Sequence, residues 1–225
     1  MNQTEGRELQ LTADGSHTLF VPALDEHYHS VNGAVQEAMH VYIGAGLHQV
    51  DKPHVRILEI GFGTGLNAFL TLKELMNRQM PTAIEYNSIE RYPLPEAIVS
   101  ALNYGEKIWP ERKELFQALH TAEWNTPVSI TDRFVLHKIE GDSNDCLLPA
   151  GIDLVYFDAF GPDKQPEMWN QSIFDRLYQQ MNVGAVLTTY CAKGAVRRMM
   201  KEAGFSVERI PGPPGKREML RATKL

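Results

Sequence analysis

Cysteine is nearly absent from this chain: Cys146 and Cys191 are the only two in 225 residues, and neither belongs to a C-x-x-C spacing. That excludes a disulfide scaffold and a cysteine-rich metal centre. It fits a reducing cytoplasm and leaves both thiols reading as small core residues. No apolar run approaches the ~20 residues that a membrane helix needs, so no membrane association is expected. The stretch Met1–Leu11 is polar and mixed in charge, unlike a secretory signal or a basic transit peptide. Internal repeats, low-complexity tracts and a G-x-S-x-G nucleophile elbow are all missing. The eight histidines lie between positions 17 and 137, and the His27-x-His29 pair has no third ligand at metal spacing, so no metal is expected. Positive charge is short overall, at a net −6, which argues against a nucleic-acid partner. Its distribution argues otherwise. From Lys193 onward nine Lys/Arg stand against three glutamates, a local +6 on a body carrying −12. A basic end on an acidic body is compatible with a phosphate-binding face and equally with a solvated helix face.

What is present is 43% hydrophobic residues and a length suited to one α/β domain. Residues 1–50 are irregular and read as an N-terminal extension packed on the core. They hold a short strand at His17–Val21 and a helical stretch, Gly33–Leu47, with Val35, Met39, Val41 and Tyr42 on one face. From residue 51 strands and helices alternate. Strands are expected at Val55–Ile60, Ala83–Glu90, Phe134–Glu140, Ile152–Phe157, Gly184–Tyr190, Phe205–Arg209 and Glu218–Thr223. The last two are joined by Pro211-Gly212-Pro213-Pro214-Gly215, too short for a helical crossover, so they should pair antiparallel. The expected fold of residues 51–225 is a doubly wound, mostly parallel seven-stranded sheet with a C-terminal antiparallel hairpin.

The first strand of this domain runs into Glu59-Ile60-Gly61-Phe62-Gly63-Thr64-Gly65-Leu66-Asn67 and then a helix. Glycines at such a turn let backbone N–H groups approach a ligand. The spacing G-x-G-x-G is tighter than the dinucleotide pattern G-x-G-x-x-G, whose third glycine would fall on Leu66. Acids follow at successive strand ends. Glu59 precedes the turn and could meet a ligand ammonium or orient the turn's amides. Glu90 is placed for ribose hydroxyls, Asp142 for an adenine amine, and Asp158 closes the next strand. Ligands of open α/β sheets bind beyond the carboxyl ends of the strands, so these residues should share one crevice. Each acid alone reads as a cap or turn residue; four together fit S-adenosylmethionine best.

Several segments resemble the methyltransferase domain of the MnmC family. They are Asp25-Glu26-His27-Tyr28-His29-Ser30, the turn itself, Ser88-Ile89-Glu90-Arg91-Tyr92-Pro93-Leu94, Asp158 to Trp169, and Gly215-Lys216-Arg217-Glu218-Met219. The chain departs from the family pattern at Ala159, at Gln165 and over Tyr190-Cys191-Ala192-Lys193. The resemblance implies a Rossmann-like class I methyltransferase, with Glu59, Gly61, Phe62, Gly63, Gly65, Asn67, Glu90, Asp142 and Asp158 around the cofactor. It implies methyl transfer to the amine of 5-aminomethyl-(2-thio)uridine at the tRNA wobble position, with Asp158 as the catalytic group. Phe160 or Trp169 would stack on the base, and Lys164, Arg197, Arg198, Lys216 and Arg217 would contact anticodon-loop phosphates. Because the family's oxidase domain is missing from these residues, a stand-alone form working beside a separate flavin-dependent oxidase is expected. Two other readings stay open: an aminopropyltransferase-like enzyme on the same fold, and a tRNA-binding module without turnover.

Overall fold

The computed structural model describes residues 6–77 and 83–225; the first five residues of the polar N-terminal stretch lie outside that range. The chain opens with β1 (Glu8–Leu11), β2 (His17–Val21) and β3 (Glu26–His27), a small antiparallel sheet in that order. α1 (Ala34–Ala38) continues as a π-helical turn, Met39–Gly44, and a 3₁₀ turn, Leu47–Gln49. There follow β4 (His54–Ile60), α2 (Leu66–Asn77), β5 (Ala83–Glu90), α3 (Glu96–Ala101), α4 (Tyr104–Ile108), α5 (Glu114–Thr121), β6 (Pro127–Thr131), β7 (Phe134–Glu140) and β8 (Ile152–Phe157). The chain ends with α6 (Gln171–Gln180), β9 (Met181–Thr189), α7 (Gly194–Glu202), β10 (Phe205–Pro211) and β11 (Glu218–Lys224).

The main sheet has eight strands, not seven, in the order β10-β11-β9-β8-β4-β5-β7-β6. The added strand is β6, an antiparallel edge on β7 with an irregular register between Ser129 and Thr131. Its five residues, two exposed and three half-buried, carry no continuous apolar run, which is why the sequence there does not announce a strand. The β10–β11 hairpin is antiparallel as expected. The strands β5 and β7 extend one way from β4 while β8 and β9 extend the other. The order therefore reverses between β4 and β8, where ligands of such sheets bind.

Alternate residues of each inner strand face opposite layers. In β8, Leu154 and Tyr156 join the layer of α2, α4 and α5, while Val155 and Phe157 join that of α6 and α7. The N-terminal segment belongs to the first layer, through Leu19, Ala34, Ala38, Val41, Tyr42 and Ile43. One expectation for it is corrected: Met39 is exposed, not on the buried face. The π-helical turn adds a residue per turn and rotates the apolar face onto Val41, Tyr42 and Ile43.

Candidate active site

Neighbouring strand ends are stitched together where the order reverses. Gly61 N–H donates to the Ile89 carbonyl at 2.9 Å, Asp158 N–H to Ile60 at 3.1 Å, and Gly141 N–H to Glu90 at 2.9 Å. Three acidic strand ends are thereby held around one cavity of about 400 Å³, within the usual range for small-molecule sites. The glycines of the turn are required by geometry. Gly61 has φ +93°, and a Cβ there would sit 2.9 Å from the Asp158 carbonyl oxygen. A Cβ on Gly63, at φ +50°, would press on the Tyr28 ring at 3.2 Å.

Asp158 is half-buried on the cavity wall. Its carboxylate accepts the Tyr42 hydroxyl at 2.5 Å and the Asn67 amide N–H at 2.8 Å. Burial pushes its pKa up to about 6, against the pull of those two bonds. Asn67 donates through the same nitrogen to Glu59 at 3.0 Å, while its buried Oδ1 has no partner among the described residues. A buried acceptor without a donor is costly, and a ligand ammonium beside Asp158 would satisfy it. Glu90 accepts the N–H groups of Gly63 at 2.9 Å and Tyr92 at 2.8 Å. A carboxylate offers about four lone-pair sites, so capacity remains for ribose hydroxyls. Asp142 takes Arg91 at 2.7 Å and the backbone and side chain of Asn144. The chemistry of this set matches the hydroxyls, amines and ammonium of S-adenosylmethionine.

Other expected residues divide. Phe62 lies on the wall while its ring packs edge-on against His120 and Trp124. Phe160 is on the wall, edge to face with Tyr28 at 5.0 Å. Trp169 is a core residue packed on Phe157, its indole N–H holding the Phe160 carbonyl at 2.7 Å. Glu59 does not reach the cavity. It is fully buried, accepts Asn67 and the Ser88 hydroxyl at 2.8 Å, and burial raises its pKa to about 8. It therefore holds Asn67, rather than a ligand or the turn's amides.

The basic residues need a larger correction. Lys216 lines the cavity instead of standing free for phosphate: it pairs with Glu37 at 2.7 Å and lies 4.0 Å over the Tyr190 ring. Lys193, Arg209 and Arg221 pair with Asp163, Glu218 and Glu208, and Lys224 bonds two carbonyls. Lys164 reaches Asp25 at 3.3 Å, outside the cavity. Arg198 and Arg217 are exposed, and Arg197 half-buried, with no acidic partner among the described residues. Much of the basic end is thus neutralised within the fold. His29 and His120 clasp Thr64, through Oγ1 at 2.7 Å and the carbonyl at 3.0 Å. Desolvation holds both near pKa 4, as neutral rings, and His27 bonds Gln10. No metal-binding group of three occurs among the described residues.

Several site residues escape sequence reasoning. Arg7, Tyr28, His29, Glu37 and Tyr190 line the cavity, and Tyr42 stands behind Asp158. Arg176 on α6 pins the loop after Asp142 by binding the carbonyls of Ser143, Asn144 and Cys146. The one signal for any of them was the resemblance through residues 25–30, which takes in Tyr28 and His29.

Among curated proteins the chain is similar to the tRNA 5-methylaminomethyl-2-thiouridine biosynthesis bifunctional protein MnmC of Cupriavidus necator. The two are 35% identical over 235 residues, covering 97% of this chain and 34% of that protein. The protein of the same name from Ralstonia nicotianae is 34% identical, over 93% of this chain and 33% of its own length. The chain thus spans about a third of these relatives. Among solved structures it is similar to MnmC2 from Aquifex aeolicus, with a TM-score of 0.78, 25% identity, and coverage of 97% of this chain and 70% of that one. A family model described as S-adenosyl-L-methionine-dependent methyltransferase matches residues 98–225, and the glycine turn lies outside that match. With more than half its length matched, and with the turn and Glu90 outside that match suited to the same cofactor, the chain belongs to the S-adenosyl-L-methionine-dependent methyltransferase family.

Proposed function

We propose that the chain methylates the amine of a 5-aminomethyl group on the wobble uridine of tRNA. The observation that carries the reading is Asp158: a carboxylate with pKa about 6, tied to Tyr42 and Asn67, facing the cavity beside the Tyr28–Phe160 pair. When bound, S-adenosylmethionine supplies an electrophilic methyl group and its own leaving group. Gly61, Gly63, Asn67, Glu90 and Asp142 would hold it. An ammonium has no lone pair, so the acceptor needs a group that orients it and takes its proton; ionised Asp158 can do both. Tyr28 and Phe160 offer an aromatic slot for a uracil drawn out of the loop, as single-stranded bases are commonly held. Arg197, Arg198 and Arg217 are the proposed phosphate contacts, with Lys164, which pairs with Asp25, a further candidate. The relatives' names supply the acceptor class, and a separate flavin-dependent oxidase is the proposed partner.

An aminopropyltransferase would share the fold and the strand-end acids. Incubating the protein with S-adenosylmethionine and undermethylated tRNA, and separately with decarboxylated S-adenosylmethionine and a polyamine, tells the two apart. Methyl appearing in the wobble nucleoside is the expected result. Aminopropyl transfer alone would replace this reading, and cofactor binding without any turnover would favour the inactive tRNA-binding module.

A further inference from the structure

Among the described residues three cations line the cavity: Arg7, Arg91 and Lys216. Two are neutralised in place, Arg91 by Asp142 at 2.7 Å and Lys216 by Glu37 at 2.7 Å. Arg7 is not. Its Nη2 makes one long bond, 3.3 Å, to the Tyr92 carbonyl, and its guanidinium lies 5.9 Å from the centre of the Tyr28 ring. Nε and Nη1 are shut off from solvent and make no hydrogen bond of good geometry among the described residues, although the guanidinium lies close enough to the Tyr28 hydroxyl to favour its ionised form. Those two nitrogens form one edge of the guanidinium fork. Leaving charged donors buried and unmet is among the more expensive arrangements a fold can hold, and a bidentate oxyanion satisfies both N–H groups at once.

Placement narrows the ligand. Arg7 stands over Tyr28, whose ring also covers Gly63 and meets Phe160. It also reaches the backbone just beyond Glu90. It therefore sits at the cofactor cavity's rim on the side where the aromatic pair opens. We infer that Arg7 is an oxyanion-binding residue of the cavity, taking a phosphate of the acceptor strand through its Nε–Nη1 edge. The one other oxyanion in reach of such a site is the carboxylate of the cofactor's amino-acid end, which has the same chemistry. The phosphate version rests on the proposed RNA acceptor; the oxyanion site itself does not.

The test uses Arg7→Met, close in size and uncharged, and Arg7→Lys, charged but without the fork. Binding of S-adenosylhomocysteine and of 5′-methylthioadenosine, which lacks the amino-acid end, is measured by calorimetry. The acceptor KM is measured with an anticodon stem-loop RNA across a salt series. The expected result for Arg7→Met is an acceptor KM raised about tenfold or more, a salt slope reduced by ~0.7, and unchanged affinity for both nucleosides. Arg7→Lys should fall between wild type and Arg7→Met. Loss of S-adenosylhomocysteine affinity alone, with methylthioadenosine unaffected, would keep the oxyanion site and assign it to the cofactor carboxylate. Changes under twofold throughout, or equal weakening of both nucleosides, overturn the inference. Wild-type protein that binds S-adenosylhomocysteine but never methylates RNA would sink the proposed acceptor while leaving the nucleoside comparison readable.

Discussion

The cavity has two walls of different construction. One is the row of strand ends from β4, β5, β7 and β8, with the turn Gly61–Gly65; its acids sit side by side because parallel strands stop side by side. The other is a cover made of Arg7, Tyr28, His29 and Glu37 from the first 50 residues, Tyr190 after β9, and Lys216 from the last hairpin loop. Its members meet only through tertiary packing. Glu37, for example, takes the Ser30 N–H at 2.8 Å and Lys216 at 2.7 Å, joining residues 179 positions apart. The first wall has the make-up to hold a cofactor common to many enzymes. The second closes over it, and there the choice of acceptor should reside.

Asp158 joins the two walls, since it ends β8 but is held by Tyr42, and breaking it should have the largest effect. Asp158→Asn should lower kcat by at least about 100-fold while S-adenosylhomocysteine affinity, read by calorimetry, falls by much less. Because the working form is the carboxylate, wild-type activity should climb as pH rises through about 6 and level off above it. The Asn variant should lack that limb. The strand-end wall alone is broken by Gly61→Ala, which forces a Cβ against the Asp158 carbonyl at positive φ. A strain of ~1–3 kcal/mol predicts roughly ten- to hundredfold weaker cofactor binding. The cover is probed by Tyr42→Phe. Its hydroxyl stabilises the Asp158 anion, so removing it should move the acid limb to higher pH by roughly one unit. An unmoved limb would mean that the cover does not tune the base.

The smallest effect is expected at Glu59, which serves the first wall from behind. Its folded pKa of about 8 lies above the ordinary 4.5, so folding takes up a proton between those values. Stability from this group is therefore lost as pH rises through that window. Glu59→Gln is neutral at every pH. Its stability relative to wild type should improve by on the order of 3 kcal/mol from pH 5 to 8 in thermal melts. His29 and His120 act in the opposite sense, costing stability as pH falls from about 6.5 towards 4.

The two walls also differ in what the sequence reveals of them. Gly61, Gly63, Glu90, Asp142 and Asp158 are legible because each follows a strand whose apolar run is visible, and strand ends in a doubly wound sheet share an edge. Glu59 is legible as an acid but not as a buried one: the alternation in β4 puts it inside, and only the neighbours Asn67 and Ser88 show what it holds. Lys216 reads as a surface cation because a Pro- and Gly-rich loop reads as exposed. The loop instead folds in, with Gly215 packed against Asn32. Tyr42 is legible as a buried face residue but not as the partner of Asp158, because the two lie 116 positions apart and meet only in the fold. The strand β6 is missed because an edge strand needs no apolar run.

The most direct measurement is mass spectrometry of wobble nucleosides from tRNA bearing 5-aminomethyluridine, incubated with labelled S-adenosylmethionine and either wild-type protein or Asp158→Asn. Labelled methyl on the side-chain amine with wild type, and almost none with the variant, is the predicted result. Label on the ring or ribose, equal label with both proteins, or no label with a wild type that binds S-adenosylhomocysteine would contradict it.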